Sequence, residues 1–358
     1  MHNARPLIIG LLSVFSLHIS TASADIPTWR GVNDNQWQII KKLDPKNDCK
    51  ERVEAIDNAD LSSAYTLTLE AYLTDNSLLE KALRTKDVVV LTEGVYPING
   101  FGLRIANNKK LIGVGKVVLD MTQVKKVGSS THASLHVTWK SAIKNITVFN
   151  APDAGIRLSH GATAYQVTAL DSGRNDAQVS TEGAGFYLKG SEAMDLCVVS
   201  AVSAGSYNLI GSNSKTERGG NADGFKVSFG AHNVSIIDGH AHKNSDDGYD
   251  FWAAGNPSKK KETAVKIFYS SATENGVDNG DGEGFKLGGS SGKDFGARLI
   301  YGSAACRNQH YGFTYNKTPT KIIVKNLKAS GNKKKGFNKV SNFNKASWKD
   351  EYVLTCKR

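Results

Sequence analysis

Carboxylates and amines crowd one stretch of this 358-residue chain. Asp223 stands in Ala222-Asp223-Gly224-Phe225, three aspartates follow in Asn244-Ser245-Asp246-Asp247-Gly248-Tyr249-Asp250, and Glu283 precedes Gly284-Phe285-Lys286. Lys226, Asp250 and Lys286 each sit two positions after one of these glycines. Carboxylates in such number repel one another unless something positive intervenes. A set of oxygens with no thiolate or adjacent imidazole suits Ca²⁺ over zinc or copper. Asp-Asp-Gly is also an ordinary turn sequence, so the metal reading depends on Asp223 and Asp250 being brought beside it. Asp223, Asp246, Asp247 and Asp250 are the candidate Ca²⁺ ligands. EF-hand spacing is met neither here nor from Asp278 to Glu283. His240-Ala241-His242 puts two imidazoles on one strand face, but without a third ligand nearby they read as wall or surface histidines. Gly113-Val114-Gly115-Lys116 lacks P-loop spacing, and no G-x-S-x-G elbow occurs.

An internal repeat positions these residues. Glycine followed by a large apolar residue recurs at Gly155-Ile156, Gly185-Phe186, Gly224-Phe225, Gly248-Tyr249, Gly284-Phe285, Gly312-Phe313 and Gly336-Phe337. The spacing has a floor of 24 residues with longer excursions, as in a solenoid whose coils carry loops on one face. Loop-like inserts fill two long intervals, from Gly211 to Asn221 and from Asn275 to Gly282. Asn244, Asn308 and Asn332 each fall four residues before a repeat glycine, which predicts a ladder of stacked amides. Helical patterns are scarce after residue 90, so alternating βα units are disfavoured. The expected fold class is all-β, a right-handed parallel β-helix. Ser77-Leu78-Leu79-Glu80 reads as a capping box opening a short helix over 77–85, which would cap the N-terminal end. Residues 77–358 form the β-helix domain in this reading, and 25–76 an N-terminal extension without a clear period. With strands about 4.8 Å apart and side chains alternating, Lys226, Asp250 and Lys286 would form one outward column on successive coils.

Residues 1–24 have signal-peptide architecture, with Arg5, an apolar run from Leu7 to Leu17, and Ala22-Ser23-Ala24. No later apolar run approaches the roughly 18 residues of a membrane span. A secreted protein, extracellular or periplasmic, is expected, with no membrane partner and as a monomer. Its four cysteines, Cys49, Cys197, Cys306 and Cys356, include no C-x-x-C pair and allow up to two disulfides in three connectivities. The net charge of +11 is concentrated at the C-terminal end, where residues 317–358 carry eleven lysines and Arg358 against Asp350 and Glu351. Such an end is either a solvated terminus or a steering patch for a polyanion. Nucleic acid is disfavoured, because no helix-turn-helix, zinc-finger or RNP signature accompanies the charge. An acidic polysaccharide fits an exported protein better.

Ala222-Asp223-Gly224-Phe225, Asn244 to Asp250, and Gly284-Phe285-Lys286-Leu287-Gly288-Gly289, in this order, resemble the pectate lyases of polysaccharide lyase family 9. The resemblance is sharp within 221–290 and looser over 77–345. It implies Asp223, Asp246, Asp247 and Asp250 as Ca²⁺ ligands, Lys286 as catalytic base, and β-elimination of a 4-linked polyuronate, with pectate or polygalacturonate first among substrates. Lys226, in the same column, is expected to contact substrate. Two other classes stay open. A β-helix glycoside hydrolase would use Asp246 and Asp247 as acid and base, although only Gly239-His240-Ala241 approaches the further motifs of polygalacturonases. A non-catalytic polyanion-binding solenoid has no use for a base at Lys286. If the basic end steers a polyanion, neutralising Lys333, Lys334 and Lys335 raises KM at low salt. Steady-state rates at increasing ionic strength should show the difference fading as the screening length falls to about 8 Å; a salt-independent fall in kcat would contradict steering.

Overall fold

The computed structural model describes residues 27–125, 133–173, 183–207, 221–259, 262–277, 280–288, 295–315 and 321–338. The leader over 1–24, Cys356 and the basic stretch beyond residue 338 lie outside the described residues. Among the described residues, strands pair only in parallel and form two sheets, one of fifteen strands and one of nine. Each coil contributes a strand or two to the larger sheet and one to the smaller, and successive coils stack in register: a parallel β-helix. In the larger sheet the coils bend at single residues in the left-handed region, among them Asn145, Gln166, Ser200, Asp238, Tyr269 and Asn326.

The repeat residues are the spine of the smaller sheet. Its strands run Leu103–Ile105, Ala133–Val137, Ala154–Leu158, Phe186–Lys189, Phe225–Ser228, Tyr249–Asp250, Phe285–Lys286, Tyr311–Thr314 and Lys335–Asn338. Ile156, Phe186, Phe225, Tyr249, Phe285, Phe313 and Phe337 are register partners one after another, as the repeat predicts. From Phe186 to Phe337 their rings stack with centroids 4.4–5.3 Å apart, within 13° of parallel. A repeat of one aromatic per coil therefore becomes a continuous column through the core.

Beside it runs the amide ladder, with one rung more than the sequence pattern identified. Nδ2 of Asn244 donates to Oδ1 of Asn275 (2.8 Å), Asn275 to Asn308 (2.8 Å) and Asn308 to Asn332 (2.9 Å). The same oxygens accept the backbone N–H of the preceding asparagine. Asn275 was missed because the insert that follows it places it nine residues, not four, before Gly284. The ladder also explains the glycines. A Cβ at Gly224, Gly248, Gly284 or Gly312 would lie 2.8–2.9 Å from a ladder amide nitrogen and 2.5–2.6 Å from the next glycine's carbonyl oxygen.

At the N-terminal end, the helix Ser77–Thr85 buries Leu79, Ala82 and Leu83 against the core, so the predicted capping helix is present. The capping box is not: Asn76 is the N-cap and makes no side-chain cap bond, while Ser77 Oγ donates to Asp75 Oδ1 (2.7 Å). The helix has the expected bounds, 77–85, but Asn76 and not Ser77 stands at the N-cap. The first β-helix strand, Tyr65–Leu67, precedes this helix and pairs with Val88–Leu91, so the coils begin inside the stretch that read as extension.

The rest of that stretch is an ordered arm. Helices α1 (Asp34–Leu43) and α2 (Cys49–Asp57) lie on the outer face of the larger sheet, where Ile40, Cys49 and Val53 pack with Val199, Ile237, Phe268 and Tyr301. Cys49 is disulfide-bonded to Cys197 at a sequence separation of 148, and Cys306 is disulfide-bonded as well. Lys266, buried beneath the arm, donates to Asp44 Oδ2 (2.6 Å). Asp238 Oδ2 accepts the backbone N–H of Arg30 (3.2 Å) and Gly31 (3.0 Å), and Oδ1 pairs with His240 Nε2 (2.9 Å). His240 and His242 also pair with Ser271 and Thr273, which makes them wall histidines as expected.

Asn275→Ala should lower stability by about 1–3 kcal/mol for each ladder group left buried without a partner. Denaturant melts against an Asn107→Ala control at an exposed position test this, and equal losses would remove the ladder from the account of register.

Candidate active site

The ladder and the aromatic column hold the residues on either side of each repeat glycine at fixed heights. On the outer face of the smaller sheet, Lys226, Asp250 and Lys286 are direct register partners on three adjacent coils, the column expected from sequence. The turns that enter these strands supply Asp223, Asp246 and Asp247. Although they lie outside the aromatic core, none is open to solvent: Asp223 and Asp247 have no exposed surface, and Asp246 and Asp250 keep 5% each.

Asp223, Asp247 and Asp250 each offer an oxygen, all within 4.8 Å of one another. Each is oriented by a backbone N–H, Asp223 Oδ1 from Asp247 (3.2 Å), Asp247 Oδ1 from Glu283 (2.8 Å) and Asp250 Oδ1 from Trp252 (3.0 Å). Their second oxygens face the lysines. Lys226 Nζ donates to Asp223 Oδ2 (3.0 Å) and lies 3.8 Å from Asp250 Oδ2, while Lys286 Nζ donates to Asp247 Oδ2 (2.9 Å). Oxygen donors alone, preoriented and converging, are the set a hard divalent cation requires.

Asp246 stands aside from this trio. Its oxygens accept the backbone N–H of Asn221 (2.8 Å) and Asp281 (2.6 Å), and it forms a second close group with Asp247 and Asp281. Asp281 belongs to the acidic insert, and its Oδ2 accepts a second bond from Lys286 (3.2 Å). No motif marked it; the signal was a carboxylate five residues before Lys286, a reach that the folded insert makes possible. Glu283 turns away to pair with His310 Nδ1 (2.8 Å). Lys226, expected at the substrate surface, is instead only 3% exposed and neutralises Asp223 and Asp250, because a burial of this many carboxylates needs an internal cation.

Burial dominates the electrostatics. It pushes the Asp223 carboxyl up to about 7, against the pull of Lys226 and with Asp250 and Asp246 adding to the push. Asp246 is raised by burial too, and Asp247 is raised well above the usual carboxylate range by burial and Asp246 together. For Lys286, burial favours the neutral amine, but Asp247, Asp250, Asp246 and Asp281 jointly outweigh it and hold the ammonium well above its ordinary value. This lysine can give up its proton only where positive charge offsets those four carboxylates.

Residues 82–350 match the family model described as the Pel9A-like right-handed β-helix region. The chain belongs to this family. The family's handedness is thus the one expected from the repeat. Among curated relatives, the chain is 31% identical over 196 residues to pectate lyase PEL9 of Emericella nidulans, a match covering 48% of this chain and 46% of that protein. It is 35% identical over 126 residues to pectate lyase L of Paenibacillus polymyxa, covering 32% of this chain and 26% of the relative. The matched region is thus less than half the length of either protein. Among solved structures, pectate lyase Pel9A superposes with a TM-score of 0.58 at 21% identity, over 77% of this chain and 70% of that one, which bears on the fold.

A cation at this trio has to compete with protons. Asp223, protonated below about 7, must ionise to act as a ligand, so affinity for Ca²⁺ should rise from pH 6 to pH 8 and binding should release protons. Calorimetric titration in buffers of different ionisation enthalpy reads both quantities. Binding that is independent of pH and buffer would place the ion elsewhere.

Proposed function

We propose that the protein is an exported, Ca²⁺-dependent polysaccharide lyase that cleaves a 4-linked polyuronate by β-elimination, with Lys286 as base. The observation that carries this reading is the register of Lys286 with Asp250, which sets one amine beside a converging trio of buried carboxylates. Family membership supports the lyase class, and polygalacturonate is the first substrate to try because both curated relatives are named pectate lyases. The leader pattern and the Cys49–Cys197 disulfide support export.

Asp223, Asp247 and Asp250 would hold the calcium, which when bound supplies a carboxylate-binding Lewis acid that makes the uronate C5 proton more acidic. The chain's own residues do the rest. Backbone N–H groups of Asp247, Glu283 and Trp252 keep the three carboxylates aimed inward without reorganisation. Lys226 offsets part of their charge from the side opposite Lys286. Lys286, as the neutral amine, takes the C5 proton. The C–H electron pair becomes the C4=C5 double bond, the C4–O4 bond breaks, and the departing oxygen gains a proton. No oxidant is consumed. The carboxylates hold the Lys286 ammonium above its ordinary value, and neutralisation of Asp247 and Asp250 offsets only part of that, so activity belongs to alkaline conditions.

Incubation with polygalacturonate should generate ultraviolet absorbance from the new double bond. New reducing ends without that absorbance would indicate hydrolysis, and neither signal a binding protein. Lys286→Arg keeps the charge but cannot deprotonate. It should reduce kcat by at least about 10²-fold while Ca²⁺ affinity stays within a fewfold of wild type. Near-normal turnover would remove Lys286 as the base.

A further inference from the structure

The outward column of the smaller sheet does not stop at Lys226. Its register continues towards the N-terminal end through Tyr187, Arg157, His136 and Arg104. At an ordinary strand spacing of about 4.8 Å, Arg157 lies about 14 Å and Arg104 about 24 Å from the Asp250 coil. Here the face opens into a cleft of about 860 Å³, lined by Arg84, Arg104, His136 and Arg157 and by two aromatic side chains, Phe101 and Trp139. Neither the metal cluster nor Lys286 touches this cleft.

Three features single it out. Parallel register sets Arg104 and Arg157 two coils apart on one face with His136 between them, so two guanidinium groups point into the same cleft. The neutralisation present is partial: Arg157 pairs with the half-exposed Glu192 (3.0 Å) and Arg84 with Glu80 (3.0 Å), while Arg104 is exposed and makes no ion pair among the described residues. Such exposed pairs are worth little and exchange readily for another anion. The aromatics are unusually open, Phe101 at 73% and Trp139 at 52% exposed, and large exposed apolar side chains beside polar groups mark ligand grooves. Carboxylates for the arginines and apolar ring faces for the aromatics are what an acidic oligosaccharide offers, and a simple anion offers only the first.

We infer that this cleft binds an acidic oligosaccharide segment several sugars removed from the bond that is cut, so that one uronate chain reaches from the cleft at Arg104 to Lys286. This rests on the lyase reading for the position of the cut, but the binding itself does not. The first measurement is therefore made without turnover. With Lys286→Arg protein, saturated oligogalacturonides of increasing length are titrated calorimetrically and by tryptophan fluorescence. Affinity should step up at the length that spans from the carboxylate cluster to Arg104. Arg104→Ala and Trp139→Ala should each abolish that step, and Trp139→Phe should remove the fluorescence change. The second measurement uses the active protein. The ratio of kcat/KM on polygalacturonate to kcat/KM on trigalacturonate should fall about tenfold or more in an Arg104→Ala, Arg157→Ala double variant, the equivalent of about 1.4 kcal/mol.

If no ultraviolet product forms with any uronan but the affinity step and its loss are observed, the lyase reading fails and the cleft stands. If product forms and the ratio and the affinity step are unchanged by these variants, the cleft proposal is overturned. Heparin binding as tight as that of an oligogalacturonide of equal charge would also overturn it, since it would reduce the cleft to a general basic patch.

Discussion

Coils of a parallel β-helix can stack only if every turn returns the chain to the same height, and here that condition is enforced by amides and rings in the interior. Asn275 and Asn308 each use Oδ1 twice and Nδ2 twice on neighbouring coils, so a one-residue slip of any coil would leave several buried polar groups unpaired. The stacked rings from Phe186 to Phe337 enforce the same register through packing. The site inherits its accuracy from this. Lys226, Asp250 and Lys286 meet because Phe225, Tyr249 and Phe285 do, one residue away.

The charge cluster draws on that rigidity. Burying Asp223, Asp246, Asp247 and Asp250 with Lys226 and Lys286 is expensive, and a core of this kind is not retained for stability. What the arrangement provides is a set of oxygens already desolvated and already aimed. Lys226 and Lys286 lie on opposite sides of Asp250 in the column, yet differ in surroundings. Lys226 is enclosed between Asp223 and Asp250, while Lys286 keeps 12% of its side chain exposed and reaches the acidic insert through Asp281. The amine with access to solvent is the one suited to exchange a proton with a substrate.

How much of this was readable beforehand follows from what a repeat encodes. The glycine-aromatic spacing gave the stacking, and the stacking gave the outward column, because alternation along a strand needs no tertiary information. Asn275 and Asp281 escaped for a shared reason: an insert separates each from the repeat it serves, and only the folded insert restores the proximity. The role of Lys226 was misjudged because a strand pattern tells which way a side chain points but not whether loops close over it. The arm at 34–57 escaped because its helices are short and pack on the sheet through a few residues such as Ile40 and Val53.

That arm bears on how the molecule comes apart. A solenoid whose coils touch only their neighbours tends to fray from an end, one coil at a time, with little to make the next coil wait. The arm reaches across that order, since the residues it grips, Cys197, then Ser235 and Asp238, then Lys266, sit on three successive coils of the larger sheet. These coils also carry the charge cluster on their opposite wall. A strut along three coils links their opening into one event, so the part of the β-helix that carries the buried charge cluster is also the part least free to breathe independently.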